Sequence, residues 1–181
     1  MTKRAIDDTR SPDRESRAAE AAIVTDDLKT EVLARIDRAL AGAVDPDQAA
    51  RRATAILAAK IPRYRWVGVY WLRGDLLVLG PYVGAPTEHA AIPVGRGVCG
   101  TAVAENANQI VRDVRERANY LACSRETRAE IVVLIRDAAG EVLGQIDVDG
   151  DAVGAFDASD EALLAAVAAQ IGGAAQPEAN R

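Results

Sequence analysis

Two hairpin signals separated by a long irregular stretch constrain this chain more than any other feature. Trp66–Leu72 is apolar nearly throughout, and Arg73-Gly74-Asp75 turns it back into Leu76–Tyr82. Far downstream, Glu130–Arg136 alternates as a strand, turns at Ala139-Gly140 and returns as Val142–Val148. Short apolar or alternating runs bounded by turn residues fold as antiparallel pairs. The Arg-Gly-Asp triplet also reads as an adhesion motif, but between two apolar runs its place is a turn.

Helical periodicity flanks the hairpins. Leu28, Val32, Ile36 and Leu40 recur every fourth residue, with Thr25 or Asp26 as N-cap and Gly42 past the end. A second helix opens at Asp45-Pro46, carries Ile56 and Leu57 on its apolar side and stops before Pro62. Near the C-terminus, Asp157 or Ser159 caps a helix through Ile171, and Gly172-Gly173 is expected to end it. This order predicts an α+β fold: an antiparallel sheet with N- and C-terminal helices on one face.

The stretch between the hairpins holds a loop over Gly84–Ala91, a short strand Ile92–Val94, and a helix Gly97–Glu105 entered through glycines. A short strand Gln109–Val111 and an irregular segment Arg112–Thr127 follow. Long connections inside compact domains usually build binding sites. A pocket covered by loops and the short helix is therefore expected on the other face of the sheet. The domain is expected over 23–173. Residues 1–22, of mixed charge and low apolar content, read as a disordered tail, and 174–181 as a second tail.

A net charge of −5 without a Lys/Arg-rich run argues against nucleic acid as a partner. No apolar stretch approaches the roughly 18 residues of a membrane span, and the N-terminus lacks the apolar core of a secretory signal. The expected location is cytoplasmic. There, the two cysteines, Cys99 and Cys123, are better read as redox-active than as a structural staple. Two small buried hydrophobes are the alternative.

Gly95-Arg96-Gly97-Val98-Cys99-Gly100 formally matches GxGxxG. The strand before it is too short and no crossover follows, so a dinucleotide site is not supported. The glycines still leave N–H groups pointing outward at a helix start. That suits an anion, either an amino acid carboxylate or the Cys99 thiolate. Cys123 lies near the end of the irregular segment, with Arg125 and Arg128 close behind to stabilise a thiolate. Two distant cysteines and one histidine make no structural zinc site, so no metal is expected.

Glu130 begins one strand, and Asp147 and Asp149 share a face of the next. Neighbouring carboxylates repel, which raises a pKa and keeps a proton available for a departing oxygen. Solvated acids at strand ends are the alternative. Trp66 and Tyr70 also share a face, either as core packing or as an aromatic wall for a methyl–sulfur group.

Several blocks fall in order: Trp66-x-Gly68-x-Tyr70, Leu79-Gly80-Pro81-Tyr82, Ile92 to Gly100, Ala122-Cys123, Ala129-Glu130-Ile131-Val132 and Gly144-Gln145-Ile146-Asp147-Val148-Asp149. Over about residues 30–172 this set resembles the free methionine-(R)-sulfoxide reductases, which are single GAF domains. The resemblance implies reduction of free L-methionine-(R)-S-oxide to L-methionine through a cysteine sulfenic acid and a disulfide. It implies no bound cofactor; an external dithiol, a thioredoxin-like donor linked to NADPH, would regenerate the thiols. Cys123 matches the attacking cysteine and Cys99 its partner, although either has a plausible activating environment and the roles could be exchanged. Glu130, Asp147 and Asp149 match the acidic cluster that holds the substrate amino group and supplies protons. Trp66 and Tyr70 match the aromatic wall. A homodimer through the terminal helices also fits the GAF resemblance.

One departure stands out. Three-cysteine members carry a cysteine in the loop before Ile92, whereas this loop has none and His89 falls near that position. Recycling would then rest on Cys99 and Cys123 alone, slower or dependent on an external thiol. His89 is either a thiolate-activating base or a solvated loop residue. The competing reading is a non-catalytic GAF module that binds a small molecule or senses redox state, for which a fused output domain would be expected.

Overall fold

A computed structural model describes residues 23–43, 45–117, 121 and 126–174. The expected tail at 1–22, the tail beyond 174, and Cys123 with Arg125 lie outside the described residues.

Helix α1 (Asp26–Leu40) starts where the Thr25 hydroxyl accepts from the Leu28 N–H at 3.2 Å. Helix α2 (Pro46–Lys60) starts on the Asp45 carboxylate, which accepts from the Gln48 N–H at 2.7 Å, with proline in the first turn. It ends because Ile61 precedes Pro62 and leaves the helical region. Strands β1 (Trp66–Arg73) and β2 (Leu76–Val83) form the first hairpin. Strand β3 (Ala91–Pro93), helix α3 (Gly97–Glu105), strand β4 (Gln109–Val111) and a 3-10 turn at Val114–Glu116 follow. Strands β5 (Ala129–Arg136) and β6 (Val142–Gly150) form the second hairpin, and α4 (Ala158–Ala174) closes the domain.

The final helix does not stop at Gly172-Gly173 as expected. A Cβ at Gly172 would lie 2.1 Å from the Arg136 carbonyl oxygen. This glycine lets α4 approach the sheet; it is not a C-cap. At the other end, the Asp157 carboxylate accepts from the N–H of Ser159 at 2.7 Å, as a cap should. Buried Asp160 ties α4 to the α2–β1 connection, accepting from the Tyr64 hydroxyl at 2.7 Å and pairing with Arg63.

The sheet is antiparallel, in the order β3-β2-β1-β6-β5-β4. The two hairpins thus join through β1 and β6. Alternation then divides the residues cleanly. Val67, Val69 and Trp71 on β1, Ile131, Val133 and Ile135 on β5, and Ile146 and Val148 on β6 pack against α1, α2 and α4. The opposite face carries Trp66, Tyr70, Val132 and Leu134 beneath Val98, Cys99 and Ala102 of α3. The expected architecture, terminal helices on one face and a covered site on the other, is the one observed.

Candidate active site

The register of the three central strands builds the site. Asp149 pairs with Trp66 on one side and Glu130 on the other, so these three form one row across the sheet. Asp147, between Gly68 and Val132, belongs to the next row. Gln145, between Tyr70 and Leu134, belongs to the third. Five of the residues named from sequence therefore share one face: Trp66, Tyr70, Glu130, Asp147 and Asp149.

Helix α3 brings in the sixth. Gly97 starts it in the left-handed region at φ 63°, and a Cβ on Gly100 would lie 2.4 Å from the Pro93 carbonyl oxygen. These glycines press the first turn onto the sheet. Cys99 lies in that turn, 2% exposed, with its Sγ 3.8 Å from Glu130 Oε1. The donor atoms of Cys99, Glu130 and Asp147 all lie within 4.8 Å of one another. Arg96 gives the helix no side-chain cap.

Three carboxyl groups so close and so deep are electrostatically costly. Burial, then the Asp147 and Asp149 charges, push Glu130 well above the usual carboxyl range. Burial pushes Asp147 up to about 7. Burial and the Asp147 charge push Asp149 well above its ordinary value. Polar satisfaction is just as unusual. Apart from the nearby Cys99 thiol, neither Asp147 oxygen has a hydrogen-bond partner among the described residues, nor does Asp149 Oδ1, nor either amide atom of Gln145. Proteins leave few such atoms unpaired, and a cluster of them marks a place where a ligand or water completes the network.

Trp66 and Tyr70 are buried in the cluster beneath α3 and also hold the neighbouring loop. The Trp66 ring folds over Gly68, where a Cβ would lie 2.1 Å from the ring. It stacks on Tyr82 at 5.4 Å between centroids and donates from Nε1 to the Ala85 carbonyl at 3.1 Å. The Tyr70 hydroxyl donates to the His89 carbonyl at 3.0 Å. Together they tie the 84–90 loop down over the sheet. A hollow of about 240 Å³ opens beside them, lined by Trp66, Thr127 and Asp149 among others.

Arg128 gives Asp113 an Nη2 contact at 3.4 Å, beside the closer Arg115; the expectation that it stabilises the Cys123 thiolate lies outside the described residues. Those guanidinium groups hold the Asp113 carboxyl well below the usual range. Sequence reasoning also missed Gln145 and the stacking role of Tyr82. Gln145 was within reach, since it sits two residues before Asp147 and must share its face.

The chain matches the GAF domain family over residues 43–176. A relative named free methionine-R-sulfoxide reductase, from Escherichia coli, is 38% identical over 118 residues, which cover 65% of this chain and 70% of that protein. This chain belongs to the GAF domain family, in its free methionine-R-sulfoxide reductase group. Among solved structures, the GAF domain is similar to the free methionine-R-sulfoxide reductase of Neisseria meningitidis in complex with its substrate. That match has a TM-score of 0.78 and 32% identity, covering 83% of this chain and 91% of the other. It is also similar to the type II enzyme of Thermoplasma acidophilum, with a TM-score of 0.66 and 39% identity, covering 71% and 93%. Among the described residues of this GAF domain, no helix is long and apolar enough to cross a membrane.

Proposed function

We propose that this protein reduces free L-methionine-(R)-S-oxide to L-methionine. The observation that carries the reading is the trio of buried carboxyl groups, with unpartnered oxygens, beside Cys99. A free amino acid brings an ammonium group, which supplies the positive charge and the N–H donors that Asp147 and Asp149 lack. A methionine residue inside a peptide has no such ammonium. The aromatic frame of Trp66 and Tyr70 suits the methyl–sulfur end. The named relatives support the same substrate class.

The chemistry follows from the groups present. The Cys123 thiolate attacks the sulfoxide sulfur while a neighbouring carboxylic acid protonates the oxygen, weakening the S–O bond. The oxygen passes to Cys123 as a sulfenic acid, and L-methionine leaves. The Cys99 thiol condenses with that sulfenic acid, giving a disulfide and water. An external dithiol of the thioredoxin class returns both thiols, so one dithiol is oxidised for each sulfoxide reduced. A carboxyl titrating near 7, as Asp147 does, is protonated often enough to act as the acid at neutral pH. The reaction is expected in the cytoplasm, where such donors keep thiols reduced.

A coupled assay with NADPH, thioredoxin reductase and thioredoxin tests the reading. Turnover is expected with free L-methionine-(R)-S-oxide and not with the S epimer or a peptide-bound sulfoxide. Cys123→Ser should lower it on the order of 10³-fold or more. No turnover by the wild-type protein, or full turnover by the variant, overturns the proposal.

A further inference from the structure

The Cys99–Glu130–Asp147 cluster also has the form of an open metal site. A tetrahedral zinc ion holds thiolate sulfur at about 2.3 Å and carboxylate oxygen at about 2.0–2.2 Å, which places sulfur and oxygen ligands roughly 3.5 Å apart. Cys99 Sγ and Glu130 Oε1 are already 3.8 Å apart, and the Asp147 oxygen falls within 4.8 Å of both. Closing the set onto one ion requires side-chain movements of about 1 Å. Two further observations point to a cation there. Asp147 is fully buried, and apart from the nearby Cys99 thiol neither of its oxygens has a hydrogen-bond partner among the described residues.

The donor set selects the kind of ion. One thiolate and two carboxylates suit a borderline divalent metal such as Zn²⁺ better than Mg²⁺ or Ca²⁺, which prefer oxygen alone. Three protein ligands leave a fourth position open, unlike a closed structural zinc site. The absence of a histidine-rich set therefore excludes a zinc finger but not this arrangement.

We propose that the reduced protein binds one Zn²⁺ through Cys99, Glu130 and Asp147, and that this ion excludes the substrate. The exclusion rests on the reading above, in which the same carboxylates hold the substrate amino group. The ion and the ammonium group then compete for the same buried negative charge. Cys99 must be a thiolate to ligate, so oxidation of Cys99 to a disulfide abolishes the site. Zinc would thus act as an inhibitor of the thiol form, released by substrate or by oxidation.

The test is direct titration of the reduced full chain with Zn²⁺ against a chromophoric chelator, repeated with Co²⁺ as a spectroscopic probe. One ion per chain and a thiolate-to-cobalt charge-transfer band are expected. Cys99→Ala should remove the band, and Asp147→Asn and Glu130→Gln should each weaken Zn²⁺ by at least about tenfold. Metal-free thermal unfolding of each variant checks that it is folded. Adding L-methionine, which carries the same ammonium group but cannot oxidise the thiols, should raise the apparent zinc dissociation constant. Wild-type protein that binds no zinc, or binding unchanged in folded Cys99→Ala and Asp147→Asn, overturns the site. Zinc and L-methionine bound together without weakening each other overturns the competition. These readouts do not depend on turnover, so a zinc site in a protein without reductase activity would sink only the reductase proposal.

Discussion

The two faces of strand β6 differ in almost every physical respect, although they alternate along one stretch of chain. Ile146 and Val148 point to the helices and are fully buried among aliphatic side chains. Gln145, Asp147 and Asp149 point the other way and are buried nearly as deeply, yet they carry several polar atoms with no partner among the described residues. Burial alone therefore says little about what a residue does here. The helix face gains stability from burial at about 25 cal/mol per Å² of apolar surface. The opposite face loses stability by desolvating charge, a loss that a bound ligand with matching donors would offset. Core packing and the candidate site occupy alternate residues of the same strand.

Substituting adjacent residues should separate these roles most strongly. Ile146→Ala removes aliphatic volume on the helix face and should cost roughly 2–5 kcal/mol of folding stability. The protein that remains folded should keep its kcat/KM. Asp147→Asn, one residue away, should behave oppositely. Its stability near pH 8 should equal or exceed wild type, because no carboxylate is left to ionise in the interior. Its kcat/KM should fall on the order of 10²-fold, through the lost ammonium partner and acid. Chemical denaturation paired with the coupled assay measures both. If both variants lost stability and activity together, the division between faces would not hold.

Much of this division was legible in the sequence because it rests on a period of two. The alternation through Ile146, Asp147, Val148 and Asp149 assigns each residue to a face without any tertiary information. The caps at Thr25 and Asp45 and the stop before Pro62 were equally local. The join between β1 and β6 was not. It pairs residues far apart in the chain, and nothing local specifies that Trp66 lies opposite Asp149. The end of α4 was misread because a double glycine looks like a terminator, while the contact that requires Gly172 lies on another element. The depth of Cys99 likewise depends on how tightly Gly97 and Gly100 seat α3. The residues of the site were readable, but their distances were not.

The pH dependence of stability sharpens the comparison. Glu130, Asp147 and Asp149 all have folded pKa values above their unfolded ones. Between those limits the folded chain holds more protons than the unfolded chain, so stability falls as pH rises. Their contribution is fully present below about pH 4 and is lost as pH rises through about 7 for Asp147 and through the raised values of the other two. Each carboxyl that remains protonated contributes a slope of about 1.4 kcal/mol per pH unit. Carboxyls held low by partners, Asp113 and Asp157, act in the opposite sense, at more acidic pH. Melting temperatures of unliganded protein from about pH 5 to 9 should therefore decline. Asp147→Asn should flatten the decline, and saturating methionine should flatten it further. A rising profile would mean that the acids are compensated in the free protein.

Gln145 gives the smallest effect and the finest test. Its amide is fully buried in the row between Tyr70 and Leu134, with neither polar atom partnered among the described residues. An unpaired buried amide costs about 1–3 kcal/mol relative to an apolar group of similar shape. Gln145→Met keeps the length of the side chain and should raise stability by about 1 kcal/mol. A gain would place Gln145 with the acids, as a polar group held in reserve for a ligand. A loss of similar size would show that ordered water already satisfies the amide in the free protein. The unsatisfied character of this face would then narrow to Asp147 and Asp149 alone. In the first case Gln145→Met should also raise KM for the sulfoxide, since the group it leaves behind cannot hydrogen-bond. In the second, KM should stay within about twofold of wild type, because the amide then makes no contact with the substrate.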